Sequence, residues 1–212
     1  MKHDLDHPWL VTAWPGMGGV AQIAGGYLAQ KLRAAALGEV EPAPWFDVES
    51  VRVSGGLIQP GKFPRSVFYG WKNPGAGPDL LIFLGDKQPQ LRGYRFCQEL
   101  VGRAVDIGVT RAVTFAALGT PIHPRADPRV LAVASSDALL AELRTKEVPV
   151  LEDGEIGGLN GVFLAAAAEQ GIEGIGLLGE FPHFARAVPN PKASAAVLRV
   201  FARLAGVSID ME

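Results

Sequence analysis

Asp79-Leu80-Leu81-Ile82-Phe83-Leu84 is apolar after its first residue and runs straight into Gly85-Asp86-Lys87-Gln88-Pro89. An apolar run without alternation marks a strand covered on both faces, the habit of parallel strands in layered α/β proteins. A helical pattern follows from about Arg92 to Ile107, with Cys97, Leu100, Val101, Ala104 and Val105 on one stripe. The next strand is Ala112–Leu118, followed by a loop over Gly119–Pro128. Strand, helix and strand in that order argue for a crossover unit in a mostly parallel or mixed sheet.

The same alternation extends in both directions. Upstream, Trp9–Trp14 reads as a strand and Val20–Leu32 as a helix, because Val20, Ile23, Ala24, Tyr27 and Leu28 recur at helical spacing. A segment broken by Pro42 and Pro44 comes next, then strand-like runs near Val51–Val53 and Ser66–Trp71. The turns at Gly55-Gly56 and Pro60-Gly61 make residues 42–72 a β-rich insert. Downstream, Val130–Ala134 is a strand and Asp137 caps a helix through Arg144. Gly157–Gly161 opens a helix ending near Gly171, Ile172–Leu178 is the last strand, and Lys192–Leu204 the last helix behind Pro191. The expectation is one three-layer α/β/α sandwich over residues 1–212, with residues 1–8 disordered.

With 212 residues, 48% hydrophobic and 20% charged, the chain can bury a sizeable core without a metal or disulfide staple. A net charge of −2 and scattered basic residues give no footprint for nucleic acid or an anionic membrane. The polar Met1–His7 start is not a signal peptide, and no apolar stretch suits a membrane span, so a cytoplasmic protein is expected. Cys97, the one cysteine, reads as a buried structural thiol. No metal-ligand spacing is present, and no cofactor is required. Thirteen arginines against seven lysines, with abundant Ala and Gly, fit a GC-rich bacterial genome.

Four segments close strands with glycine and a polar or special residue: Pro15-Gly16-Met17-Gly18-Gly19, Gly85–Pro89, Gly119-Thr120-Pro121 and Gly179-Glu180. Ligands in open α/β sheets gather beyond the carboxyl ends of parallel strands, where glycine lets backbone approach closely. Tight strand-to-helix turns also need glycine, so a crevice and plain turn chemistry are both open. The candidate ligand- or partner-binding residues are Gly16, Met17, Gly18, Gly19, Gly85, Asp86, Gln88, Thr120, Gly158, Asn160, Gly161 and Glu180. Asp86, Glu180, His123 and His183 are the candidates for acid–base work, while His3 and His7 sit in a frayed terminus.

Two nucleotide patterns fall short. Gly16–Ala21 fits G-x-G-x-x-G/A between strand and helix, but the acid that should end the next strand would be Glu39 or Glu41, where Pro42 and Pro44 spoil the strand. Gly56–Phe63 has P-loop spacing with Phe63 in place of the Ser or Thr that would hold Mg²⁺. Over Ser66–Lys72, Val67, Tyr69 and Trp71 share one face and Phe68 the other. Either the sheet's own helices cover these, or one face meets another subunit.

Taken in order, five segments resemble the proteasome-assembly-chaperone 2 superfamily: Trp14–Gly18, Val53–Ile58, Leu84–Pro89, Gly154–Gly161 and Gly174–Glu180. The resemblance spans about Leu10 to Ile209. It implies a three-layer domain similar to phosphorylase/hydrolase-like folds, and a homo-oligomeric binding or scaffold protein with a protein partner. The alternative is a phosphorylase/hydrolase-like or ligase-like enzyme acting on a small anionic substrate. There Gly16–Gly19 and Gly158–Gly161 would donate N–H groups, and Asp86 or Glu180 would move the proton. Proteasome-binding members of the superfamily end in a hydrophobic residue, tyrosine and any residue. The ending Ile209-Asp210-Met211-Glu212 departs from that pattern, so direct proteasome binding is not expected.

Overall fold

The computed structural model describes residues 4–211. Hydrophobic alternation builds a seven-stranded sheet from β1 (Trp9–Ala13), β2 (Ala35–Glu39), β5 (Ser66–Trp71), β6 (Leu80–Gly85), β7 (Arg111–Thr120), β8 (Val130–Ala134) and β9 (Glu173–Pro182). Strands β3 (Val53–Ser54) and β4 (Leu57–Ile58) form a separate hairpin. The order in the main sheet is β2-β5-β6-β1-β7-β9-β8. The central four, β6, β1, β7 and β9, are parallel, and β5 and β8 pair antiparallel at either side.

Successive residues in the central strands point to opposite faces, and both faces are dry. Val11, Ile82 and Val113 face helices α1 (Val20–Lys31), α3 (Asp137–Thr145) and α5 (Pro191–Ala205). Leu10, Leu81, Phe83 and Ala112 face α2 (Gly93–Ile107) and α4 (Leu159–Glu169). The three-layer sandwich follows from that two-sided burial. Phe83 lies at the centre of the second face, with ring centroids 5.2 Å from Trp14, 5.0 Å from Phe68 and 6.3 Å from Phe96. At the opposite end of the sheet, Arg111 bonds Glu142 with two nitrogens, reaches Glu173 and stacks 4.7 Å above Trp9.

Several expectations change. Strand β5 belongs to the main sheet, leaving residues 42–65 as the excursion. Its Phe68 is fully buried, and Tyr69 and Trp71 are half-buried against the chain's own core. Strand β2 forms just before Pro42, and its last residue, Glu39, pairs with Arg65. Ser136, not Asp137, caps α3, its Oγ accepting from Leu139 N at 3.3 Å. Of the terminus expected to be disordered, residues 1–3, including His3, lie outside the described residues. Residues 4–8 are held: Asp6 N donates to Asp79 Oδ2 at 2.9 Å, Lys72 Nζ donates to Asp4 O, and Leu5 packs on the core. Cys97 is fully buried, and burial pushes its thiol up to about 12. No described helix is long and apolar enough to cross a membrane.

The aromatic cluster carries a test. Phe83→Ala should lower unfolding stability by about 3–5 kcal/mol, measured by urea denaturation, because a buried ring leaves a cavity its neighbours cannot collapse into.

Candidate functional site

The chain leaves β1 toward one edge of the sheet, through β2 and β5 to β6, and then crosses β1 to reach β7 on the other side. The strand order therefore reverses between β1 and β7, where open α/β sheets carry their crevice. A cleft of about 290 Å³ lies there, lined by Gly16, Met17, Gln88, Ala116–Gly119, Glu155 and Asn160 among others. The four glycine-bearing segments all lie at this edge of the sheet. Gly119–Thr120 and Gly179–Glu180, however, lie inside strands that continue to Thr120 and Pro182.

The glycine turn after β1 closes on the chain itself. Gly18 and Gly19 both adopt φ of 61°, a region open to glycine at little cost. Gly18 N donates to Arg186 O at 2.9 Å, Gly19 N to Gly16 O at 3.0 Å and Val20 N to Met17 O. In return Asn190 N donates to Gly18 O at 2.7 Å. The β9–α5 loop thus occupies the position that a pyrophosphate would take, and the dinucleotide reading fails on geometry. Helix α4 behaves similarly. Its first N–H, Leu159 N, donates to Gln88 Oε1 at 2.9 Å, while Gln88 Nε2 donates to Pro15 O at 2.6 Å. Gln88 is a brace between the segments that follow β1 and β6 and the start of α4. Gly161 admits close packing, since a Cβ there would lie 2.3 Å from Ile156 O.

The acid–base candidates are dispersed. Strands β6 and β9 are separated by β1 and β7, so Asp86 and Glu180 lie on the order of 14 Å apart across three strand spacings. Asp86 is exposed and accepts from Arg65 N at 2.9 Å. Glu180 is 3% exposed and accepts from Arg129 Nη2 at 2.7 Å, Nε at 2.9 Å and N at 3.2 Å. Those Arg129 contacts hold its carboxyl below the usual carboxylate range, against the opposing effect of burial. His123 and His183 are exposed on loops. His123 Nδ1 accepts from Arg125 N at 3.2 Å, and His183 Nδ1 lies 3.1 Å from Thr120 O. His123 and Glu180 both line a groove of about 320 Å³ with Phe184 and Val188, but neither His123 nor His183 bonds Glu180 or Asp86. Among the described residues no three His, Cys, Asp or Glu gather as a metal site. Sequence reasoning missed Arg129, whose charge meets Glu180 only through the β8–β9 pairing.

Glu180 supplies a pH test. Its folded-state pKa is depressed, so its contribution is present above the ordinary carboxylate range and is lost as pH falls through the folded pKa. Glu180→Gln should lose roughly 1–3 kcal/mol at pH 7. Thermal melts should show the difference shrinking toward zero in strong acid.

The PAC2 family model matches residues 10–212. The crystal structure of Pyrococcus furiosus PbaB, an archaeal proteasome activator, superposes with a TM-score of 0.81 at 27% identity, covering 100% of this chain and 88% of that one. A Mycobacterium tuberculosis proteasome-assembly chaperone homologue shares the fold with a TM-score of 0.81 at 24% identity, covering 95% and 87%. An uncharacterised Methanocaldococcus jannaschii protein is 25% identical over 211 residues, 98% of this chain and 78% of its own length. Relatives from archaea and bacteria alike leave the bacterial reading of the Arg-to-Lys ratio without support. With a sheet, a crevice and a family model that agree across nearly the whole length, the chain belongs to the PAC2 family.

Proposed function

We propose that this protein is a non-catalytic scaffold that assembles with copies of itself and holds a protein partner in the cytoplasm. The observation that carries the reading is the distribution of exposed apolar side chains. Val48, Val51, Val53, Leu57, Ile58 and Phe63 are half of the large hydrophobic residues left exposed among the described residues, and all fall within residues 48–63. Leu57 and Ile58 are 69% and 74% exposed. They sit on the β3–β4 hairpin, whose turn residues Gly55 and Gly56 both have positive φ, as a two-residue type I′ turn requires. A two-stranded hairpin without a covered face is marginal in water, and clustered apolar residues of this kind mark contact surfaces. A second copy of the chain is the occupant that needs no further component.

The enzyme reading has less behind it. Its two carboxylates are separated, one of them is neutralised by Arg129, and the N–H groups of Gly18, Gly19 and Leu159, three of those that should cradle an anion, are already bonded to Arg186, Gly16 and Gln88. Asp210 is bonded to Lys31 and to the Tyr27 hydroxyl, and Ile209 and Met211 pack on the core, so residues 209–211 are held against the domain.

Size-exclusion chromatography with light scattering tests the scaffold. The wild-type chain should run as one discrete oligomer, and Leu57→Glu with Ile58→Glu should shift it to monomer with its far-UV circular dichroism unchanged. A wild-type monomer at micromolar concentration, or an oligomer indifferent to both charges, would remove the hairpin from the assembly.

A further inference from the structure

Strand β7 outruns its neighbour. It pairs with β9 along its whole length, Arg111 to Thr120, but with β1 only as far as Thr114. Beyond that point β1 has ended and the chain has turned away through Pro15 and Gly16. The edge of β7 that faces away from β9 is therefore without a strand partner over Ala116–Gly119, and these four residues line the cleft. An unpaired strand edge presents N–H donors and C=O acceptors in alternation.

A second observation points into the same space. Asn160, in the first turn of α4, also lines the cleft and is 6% exposed. Its Oδ1 is shut from solvent and has no hydrogen-bond partner among the described residues. Its Nδ2 stands beside Gly16 on the cleft wall, 3.6 Å from where a Cβ on that glycine would lie, and is the end of the amide that a ligand in the cleft can reach. Glu155 is exposed and is the one charged side chain on the lining; beside it stand the polar Gln88 and Asn160 and apolar residues such as Met17, Leu118 and Ile156.

We infer that this cleft binds a short extended peptide of two or three small residues with a free amino end. Such a ligand adds to the edge of β7 as a strand, pairing its own alternating N–H and C=O groups. One of its C=O groups accepts from Asn160 Nδ2, and its ammonium faces Glu155. A nucleotide or other anion meets the wrong charge here, and a space of about 290 Å³ is at the lower end of small-molecule sites. The site is separate from the β3–β4 hairpin and does not depend on the assembly proposed for it.

Isothermal titration calorimetry of the full chain with trialanine amide and its N-acetylated and N-succinylated forms tests the inference. The expected result is saturable binding in the order free amine, acetyl, succinyl, with amide NMR shifts confined to Ala116–Gly119 and α4. Asn160→Leu should weaken binding of trialanine amide by about tenfold, the loss of one hydrogen bond, without lowering the melting temperature. Ala116→Phe, which fills the cleft, should abolish binding. Should that variant not fold, Asn160→Leu decides alone. The inference is overturned if none of the three peptides saturates, if Asn160→Leu binds as wild type does, or if the succinylated peptide binds as well as the free amine.

Discussion

The fold depends on the burial of both faces of β6, β1, β7 and β9. Parallel neighbours cannot be joined by tight turns, so each connection must cross a face of the sheet. The apolar residues on alternating sides of each strand require those crossings to be amphipathic helices. Helices α1 and α5 on one face and α2 and α4 on the other answer that requirement. Parallel order also gathers the carboxyl ends of four strands at one edge. Reversing the strand order at β1 then separates the loops after β1 and β7, and the cleft is the gap they leave.

Much of this is written in hydrophobic periodicity. The run at Leu80–Leu84, the alternation at Ser66–Trp71 and the apolar Val130–Ala134 each become strands within a residue of where the pattern places them. Of the helical stripe, Cys97, Leu100, Val101 and Ala104 are buried as expected, whereas Val105 is 48% exposed. What escaped lacks such a signature. Ala35–Glu39 is an edge strand with a register shift between Ala36 and Gly38, and it is exposed or half-buried throughout, so no apolar pattern announces it. Gly119 and Gly179 read as strand terminators, yet both lie inside strands. At Gly179 the reason is packing: a Cβ would come within 3.0 Å of Ala193 O, so glycine lets α5 approach the sheet.

The candidate site was legible in position but not in use. Gly16–Ala21 has the spacing of a phosphate-binding turn, and a strand and helix do flank it. Spacing, however, cannot show which acceptor the freed N–H groups meet. Here it is Arg186 O, delivered by a loop some 170 residues away in sequence, and no local pattern encodes that contact. The pairing of Glu180 with Arg129 is hidden in the same way, since it exists only through strand register. Asp86 and Glu180 look equivalent in sequence, but Asp86 follows the end of β6, Glu180 lies inside β9, and the two strands are not neighbours.

Two carboxamides beside the cleft sharpen the distinction between structure and function. Gln88 spans from Pro15 O to Leu159 N, so its donor and acceptor both find partners and its presence is explained by the turns it joins. Asn160, one residue beyond Leu159, has a buried oxygen with no partner. An apolar residue in that place would avoid the desolvation cost, and α4 is otherwise rich in alanine and leucine. The brace supplied by Gln88 fixes the start of α4, and with it the position of Asn160 opposite the unpaired edge of β7. Rigid support of one amide is thus what holds the other in place at the only stretch of β7 that β1 leaves open.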